Sequence, residues 1–314
     1  MSTLNAELQK NESPFFEKQL SFLEMVKLLW NNKVTIVSIS FIITVLTIIY
    51  ALQIPNIYKA STSLVPASTE SASELSGLAS QYSGLAAMAG INLGSAGDNE
   101  IDYAVELVQS WHFIEKFVQR NNLKATLMAV KKWDKNTNAL IYDTDMYDVE
   151  SGRWNKDEDG LTLEPKSIDT YKFVLGLLNI SKNVESGVIT INFSHFSPHE
   201  AYRISQLLIR DLNEHFRLLA QDEAKASIEF LEKKIAKTSN TEMRQVFFSL
   251  IEGHSKTLMM TEIRAEYLLK TLIPTMIPQK KDRPKRALIV VVGGLFGGFL
   301  SIAFVLGRFF VNQK

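Results

Sequence analysis

The sequence has no cysteine and no excess of charge of either sign. Without cysteine, disulfide frameworks, thiolate zinc sites and cysteine nucleophiles are excluded. The 34 basic and 34 acidic side chains balance, and no stretch presents a basic face. Nucleic acid is therefore not an expected partner, because binding phosphates requires a surplus of Lys and Arg on one surface.

Charge is also missing from two long apolar stretches, residues 34–52 and 287–307. They contain 19 and 21 residues without Asp, Glu, Lys or Arg, and each is about long enough to cross a ~30 Å hydrocarbon core as a helix. The first stretch follows a tail of mixed charge and ends without an A-x-A cleavage site, which favours an uncleaved anchor over a signal peptide. The sequence predicts a bitopic membrane protein.

The basic residues beside the two spans disagree on orientation. Lysines before the first span favour a cytoplasmic N-terminus, whereas five basic residues within 280–286 precede the second span. Because the first helix usually dominates and long domains translocate largely regardless of charge, we expect the tails 1–33 and 308–314 to be cytoplasmic. Residues 53–286 are then expected on the outer side of the membrane.

Two segments flank the first span. Apolar residues recur at three- and four-residue steps from residue 15 to 30, which predicts an amphipathic helix. It either lies along the inner membrane surface or continues the first span. Between residues 67 and 97, 19 of 31 residues are Ser, Gly or Ala, a composition that cannot form a core by itself.

Short elements of both kinds follow, which predicts an α/β base over residues 53–197. Ser110 is a plausible N-cap for a helix that begins at Trp111. Alternating apolar residues predict a half-buried strand near residue 190. The predicted elements are a strand at 58–65, one or two helices at 100–118, an exposed loop or hairpin at 131–159, a helix at 167–178 and a strand at 187–194.

The run Ser197-Pro198-His199-Glu200 has the pattern of a capping box. No Pro or Gly follows until Gly253, so we expect a helix over 198–237, about 60 Å long. A reversal at 237–241 and a second helix to about residue 272 would complete a long helical hairpin over 198–273. Two paired helices can bury only one apolar stripe each, against the other helix. The apolar residues that remain need other neighbours, which predicts a homo-oligomer. These residues are Phe230, Met243, Phe248, Ile251, Met259 and Met260.

Candidate chemical sites are weak. Asn155, Asp157, Asp159 and Gly160 match four positions of a calcium loop, but Lys166 stands where a bidentate Glu is required. That pattern is interpreted as ordinary loop acidity. Nucleotide-binding, GxSxG and HExxH motifs are absent from the sequence, so we expect no cofactor, no metal and no catalysis.

The histidines do not form a predicted metal site. His195 lies at the end of a strand, His199 in the capping box, and His215 about four turns further along the helix. These positions cannot converge easily on one ion. Asp211 and His215, four residues apart, are interpreted as a pair on the helix surface.

Two motifs mark the C-terminal region. Pro274, Pro278 and Pro284 prevent helix continuation and predict an extended link over 274–286, with Lys285 and Arg286 at the lipid headgroups. Within the second span, two small-residue pairs predict close contact with another helix. These pairs are Gly293 with Gly297 and Gly294 with Gly298, continued by Ser301.

This order of elements resembles the Wzz-type polysaccharide co-polymerases, the chain-length determinants of bacterial O-antigen and related surface glycans. The most family-like segments are Phe230-Leu231-Glu232, residues 278–286 and residues 293–298. The resemblance implies an α+β protein with a membrane-proximal α/β base, a long protruding helical hairpin and one transmembrane helix at each end. Some relatives carry a kinase domain after the second span; we expect none here, because the sequence ends at Lys314.

The resemblance also implies a function and partners. Such proteins form rings of identical subunits in the bacterial inner membrane, which implies a periplasmic location for residues 53–286. Without being enzymes, they act on a Wzy-type polymerase to set the modal length of the glycan. Membrane lipids and lipid-linked or nascent glycan are further candidate partners. The alternative is an inner-membrane adaptor for export of capsule or exopolysaccharide. Its loss would trap polymer inside the cell without altering polymer length.

Overall fold

The computed structural model describes residues 22–67 and 97–312. The chain forms two compact units, which meet in sequence at Ile54/Pro55 and at Arg283/Pro284. The first unit holds both terminal regions and the second holds Pro55–Arg283. The predicted amphipathic stretch before residue 22 and most of the small-residue segment lie outside the described residues.

The described chain contains both helices and strands. The helices are α1 (Phe22–Asn31), α2 (Lys33–Gln53), α3 (Gly97–Val108), α4 (Trp111–Arg120), α5 (Lys124–Met128), α6 (Ser167–Leu177), α7 (Pro198–Ile235), α8 (Thr241–Ile263) and α9 (Arg286–Asn312). The strands are β1 (Tyr58–Pro66), β2 (Val130–Trp133), β3 (Leu140–Tyr142), β4 (Tyr147–Asp148), β5 (Arg153–Trp154), β6 (Leu178–Lys182), β7 (Ile189–His195) and β8 (Leu269–Ile273).

The first unit pairs α2 with α9. The apolar parts of both helices, Lys33–Gln53 and Arg286–Phe309, are long and apolar enough to cross a membrane, and most of their surface is exposed. They coincide with the two uncharged stretches. So much exposed apolar surface is unfavourable in water, and we expect lipid or another protein to cover it.

The second unit is built on a four-stranded antiparallel sheet with the order β6-β7-β1-β8. Strand β1 pairs with β7 from Tyr58↔His195 to Leu64↔Ile189, and with β8 near Pro66↔Leu269. Side chains alternate between the two faces of the sheet, so Leu64 and Phe193 are fully buried. The strand predicted at 58–65 and the one predicted from alternation at 187–194 are therefore confirmed. The acidic region contains two small hairpins, β2–β3 and β4–β5.

One hydrophobic core joins the sheet to the helices of the second unit. The apolar spacing at the start of α7 predicts one buried face made of Ile204, Leu208, Leu212, Phe216 and Leu219. The first four are buried in the core, whereas Leu219 is 40% exposed. Helices α3 to α6 supply further members of the cluster. Ser110 caps α4 as predicted, because its Oγ accepts a hydrogen bond from the Phe113 amide at 3.3 Å.

Helix α7 has 38 residues, which corresponds to about 57 Å. At its start the Ser197 Oγ accepts from the Glu200 amide at 3.4 Å, as a capping box requires. The reciprocal bond is not the predicted one. The Ser197 amide donates to His195 Nδ1 at 3.0 Å, and the Glu200 carboxylate binds Arg203 instead. A histidine at the strand end thus takes the place of the capping-box glutamate.

The prediction that the second helix of the hairpin continues to about residue 272 is wrong. Helix α8 ends at Ile263 and β8 follows at Leu269–Ile273. The apolar spacing around Leu268 fits a helix, but Leu268 and Leu269 are buried in the core of the sheet. Asn213 fixes them there. Its Oδ1 accepts from both of their amides at 2.9 Å, and its Nδ2 donates to the Leu269 carbonyl at 3.0 Å.

The predicted surface pair of Asp211 and His215 is also wrong. Asp211 is buried and accepts hydrogen bonds from Asn121 Nδ2 at 2.7 Å and from Arg210 Nη2 at 2.8 Å. His215 lies edge-on against the rings of Phe113 and Phe216. The carboxylate therefore ties α7 to the C-terminus of α4. Spacing along one helix could not reveal a partner on another.

Asn213→Ala is expected to destabilise the second unit by about 2–4 kcal/mol, because two buried amides and one carbonyl lose their partner. The melting temperature of the full chain in detergent, followed by circular dichroism, should fall by about 4–16 °C. Asn179→Ala, on the exposed outer face of the sheet, is the matched control and should change little. Equal melting curves for the two variants would contradict the role of Asn213.

His195 is expected to make stability depend on pH. Burial lowers the pKa of His195, and its Nδ1 already accepts the Ser197 amide while Nε2 donates to the Thr126 carbonyl. The unfolded state therefore binds the proton more readily. This contribution is complete above about pH 6.5, the ordinary value for histidine, and is lost as pH falls below it. Melting temperatures measured between pH 5 and 8 should depend less on pH in His195→Gln than in the unmodified chain. In His112→Gln, on the exposed face of α4, the dependence of the melting temperature on pH should be unchanged.

Candidate functional site

In the first unit, α9 presents a stripe of small residues to α2. Gly293, Gly297, Ser301 and Val305 recur at every fourth position, and Ser301 and Val305 are buried. A Cβ built on Gly293 would lie 2.8 Å from the Cβ of Thr47. No side chain larger than hydrogen fits at this position, so the two backbones approach as closely as they do because glycine is there.

Gly297 is nearly as constrained. A Cβ there would lie 3.1 Å from the Cβ of Ile43 and 3.3 Å from the Ser40 carbonyl oxygen. The hydroxyls on the facing side of α2 are satisfied within their own helix: Thr44 Oγ1 donates to the Ser40 carbonyl and Thr47 Oγ1 to the Ile43 carbonyl, both at 2.8 Å. The contact is therefore one of close packing without unpaired polar groups, which suits a hydrocarbon environment.

The second predicted pair behaves differently. A Cβ on Gly294 would lie at an ordinary 3.5 Å from Thr44 Oγ1. Around a Cβ on Gly298, the described part of the chain offers no neighbour within 4 Å outside the backbone of α9. Within this chain, close approach involves Gly293 and Gly297.

Arg286 connects the N-terminal end of α9 to the C-terminal end of α2. Its Nε donates to the Ala51 carbonyl at 3.0 Å and its Nη2 to the Ile54 carbonyl at 3.2 Å. The last carbonyls of a helix have no partner within the helix, and a cation there also interacts favourably with the helix dipole. Lys285 begins the turn that opens α9, since its carbonyl accepts from the Leu288 amide at 3.0 Å. The Arg286 contact was not predicted from the sequence, where the only signal was its position beside the apolar run.

In the second unit, residues 274–283 run along the edge of β1 beyond β8. The Asp282 amide donates to the Ile57 carbonyl at 2.8 Å, and the Ile57 amide donates to the Arg283 carbonyl at 2.9 Å. An ion pair of 3.1 Å joins Lys59 to Asp282. The segment predicted to be an extended link is therefore held on the sheet.

Prolines explain why this segment is not a regular strand. Pro274 and Pro278 have no N–H to donate, so the ladder of β8 stops after Ile273. Beyond Ile273, hydrogen bonds between side chains replace those of the backbone ladder. The Thr275 hydroxyl bonds to the Thr62 hydroxyl, which lies 3.4 Å from the Ser205 hydroxyl of α7. All three groups are buried, and Pro284 is the first residue of the other unit.

The residues considered for metal binding lie apart. His195 is buried at the strand end, His199 lies near Trp133, and His215 packs among aromatic rings. The Asp157 carboxylate accepts the amides of Asp159 and Leu161 and shapes its own turn. Among residues 22–67 and 97–312, no three His, Asp or Glu side chains are grouped so that they could hold a metal ion.

Comparison with known proteins identifies a family for the N-terminal third. Residues 18–121 match the profile of the Wzz chain length determinant protein family. This range includes α1, α2 and β1, and it ends before the proline and glycine segments. Over these residues the match supports the resemblance to the Wzz-type chain-length determinants.

Two solved structures are similar to this chain. A full-length bacterial polysaccharide co-polymerase has 13% identity and a TM-score of 0.40, and the match covers 94% of this chain and 99% of that one. A fragment of WzzB, a polysaccharide co-polymerase from Salmonella Typhimurium, has 10% identity and a TM-score of 0.29, with 73% of this chain and 100% of the fragment covered. No curated protein matches.

Gly293→Leu and Gly297→Leu are each expected to separate α2 from α9 and to destabilise the helix pair by about 1–3 kcal/mol, because the added side chain collides with Thr47 or Ile43. Gly298→Leu places the same side chain on the same helix where there is space. Thermal unfolding of the full chain in detergent, followed by circular dichroism, measures all three. A loss of stability in Gly298→Leu equal to that in Gly293→Leu would contradict close packing at the first pair.

Proposed function

We propose that this chain is a non-enzymatic regulator of the modal length of O-antigen or a related surface polysaccharide, acting with a Wzy-type polymerase. The observation that carries the proposal is the family match over residues 18–121. The two membrane-length helices and the long helix α7 are consistent with it. The family supports the general activity, and the identity of the glycan and of the polymerase are part of the proposal.

The proposed location is the bacterial inner membrane, with α2 and α9 as the two spans. Both termini would be cytoplasmic and residues 53–286 periplasmic. Lysines before the first span and the usual dominance of the first helix support this orientation. In this arrangement Arg286 would lie near the outer headgroups, while its guanidinium group is engaged by the Ala51 and Ile54 carbonyls.

The proposed assembly is a ring of identical subunits. Helices α7 and α8 pack on each other but expose large apolar side chains. Phe230 and Phe248 are each 54% exposed, Met259 is 49% exposed and Ile263 is 69% exposed. Exposed apolar surface of this kind is usually covered by another protein surface, and copies of the same chain are the simplest source of that cover.

Contact with the polymerase is proposed for the face of α9 that points away from α2. Gly293 and Gly297 are occupied by α2 within the chain, so they are not available to a second protein. The exposed side of α9 carries Leu295, Phe296 and Phe299. A polymerase or lipid would meet these bulky side chains, and a ring held in this way could keep the growing glycan at the polymerase until a preferred length is reached.

Deletion of the gene is expected to replace a clustered distribution of glycan lengths with a random one dominated by short chains. The measurement is a gel of surface polysaccharide from the deletion strain, with and without a plasmid copy of this chain. Restored clustering by the plasmid copy supports the proposal. An unchanged ladder in the deletion strain would refute it, and polymer of normal length trapped inside the cell would favour the export adaptor.

A further inference from the structure

Exposed apolar side chains are concentrated where the chain leaves the sheet of the second unit. Leu272, Ile273, Met276 and Ile277 are 54%, 56%, 75% and 44% exposed, and we call these four residues the edge patch. Single exposed apolar side chains are normal on a protein surface. Four of them within six consecutive residues form a continuous apolar surface, which is unfavourable in water and indicates a binding partner.

A fixed backbone presents the edge patch. Thr275, in the middle of the patch, is buried, and its hydroxyl bonds to the Thr62 hydroxyl of β1. Beyond the patch, the Asp282 amide donates to the Ile57 carbonyl at 2.8 Å, and the Asp282 carboxylate lies 3.1 Å from the Lys59 ammonium. The segment is therefore attached to the sheet on both sides of Met276 and Ile277, so it loses little entropy when a partner binds.

The charge beside the edge patch is positive. Residues 270–283 contain one acid, Asp282, whose carboxylate pairs with both Lys59 and Arg283. The basic residues in the same range are Lys270, Lys280, Lys281 and Arg283. Within the described part of the chain, the exposed side chains of Lys280 and Lys281 make no hydrogen bond and no ion pair. A protein without net charge thus concentrates unpaired cations next to exposed apolar surface.

Chain length limits the distance between this segment and the ends of the two membrane-length helices. Helix α9 begins at Arg286, five residues after Lys281, so the Cα atoms of these two residues are at most about 18 Å apart. Ile57, which bonds to Asp282, follows the end of α2 at Gln53 by four residues and lies within about 14 Å of it. Both connections keep the basic residues close to one membrane surface.

An anionic lipid surface matches the chemistry of the segment. Protein segments that bind at the membrane interface combine apolar side chains, which enter the boundary with the acyl chains, with Lys and Arg, which attract anionic headgroups. A second copy of this chain could also cover the edge patch. However, the unpaired cations of Lys280 and Lys281 lie in the part of the segment closest in sequence to α9, where lipid headgroups are present in every assembly state.

We propose that residues 272–283 dock on the surface of the membrane that α9 crosses, and that anionic lipid headgroups are the ligand. Met276 and Ile277 enter the boundary between headgroups and acyl chains, and the ammonium groups of Lys280 and Lys281 bind lipid phosphates. The contact holds the outer edge of the sheet on the lipid. It requires α9 to cross a membrane, and it does not depend on the glycan or the polymerase of the proposed function.

The test uses the full chain reconstituted in vesicles and a fluorophore on a single introduced cysteine, because the sequence has no other. Gln279→Cys places the label on an exposed residue between the apolar and the basic part of the segment. Val184→Cys, in the turn between β6 and β7 and 90% exposed, is the matched control. Quenching by spin-labelled lipid reports contact with the membrane, and quenching by acrylamide reports contact with water.

In vesicles of phosphatidylglycerol and phosphatidylcholine, the label at Gln279→Cys should be quenched by the lipid and shielded from acrylamide. The control label should show the reverse. Lys280→Gln and Lys281→Gln should each lower the ratio of docked to undocked segment about fivefold, because each removes a cation from an anionic surface. Met276→Ser should lower this ratio about tenfold or more through lost burial. High salt, or phosphatidylcholine alone, should have the same direction of effect.

Lys225→Gln, which removes an exposed lysine from α7, should leave the quenching unchanged. Equal quenching of the two labels by the lipid would overturn the docking. Shielding from acrylamide without quenching by the lipid would assign the edge patch to a protein surface, such as a second copy, and would also overturn it. Either result together with a normal plasmid-restored glycan ladder would refute the docking while leaving the proposed function intact.

Discussion

Strand β1 is hydrogen-bonded along both of its edges, and the second unit depends on this arrangement. One edge pairs with β7, and the other receives β8 and then residues 274–283. β1 is one of the two inner strands of the sheet, between β7 and β8. Ala60 and Thr62 are buried on it, and the Thr62 hydroxyl meets both the Ser205 hydroxyl of α7 and Thr275, which is 213 residues away in sequence. The sheet thereby fixes where the chain enters and where it leaves the unit.

Side chains that satisfy backbone groups at helix and strand ends perform a related task. Asn213 holds the amides of Leu268 and Leu269, and one turn later Arg217 donates to the Thr261 carbonyl in the last turn of α8 at 3.2 Å. These two residues of α7 secure the chain on both sides of the short segment between α8 and β8. Arg286 does the same for the end of α2 in the first unit. In each case a group that would be costly to leave unpaired determines the geometry.

The parts of this fold that local patterns determine could be predicted from the sequence. The absence of charge marked both apolar helices, alternation marked β7, and the Ser110 and Ser197 caps marked two helix starts. The sequence predictions were wrong where a group distant in sequence determines the local structure. Leu268 has helical spacing but is held in the sheet by Asn213, and His195 takes the bond expected of Glu200.

The candidate site could also be predicted only in part. The small-residue spacing predicted a close helix contact, and Gly293 and Gly297 have the expected geometry. Which of the two glycine pairs is used depends on the rotation of α9 against α2, and the sequence does not contain that information. The position of Trp111 was not predictable either. Its ring is half exposed, and its Nε1 donates to the Ser167 Oγ, 56 positions away in sequence.

The strand order has a consequence for biosynthesis. Pro66 pairs with Leu269, so about 200 residues must be made before the outer edge of β1 finds its partner. At ~5–20 residues per second, this interval is about 10–40 s. During that time one edge of β1 has unpaired backbone groups, a state prone to wrong pairing with other chains. Production of this protein should therefore depend strongly on chaperone capacity and on expression rate, even though the finished sheet buries the vulnerable strand at its centre.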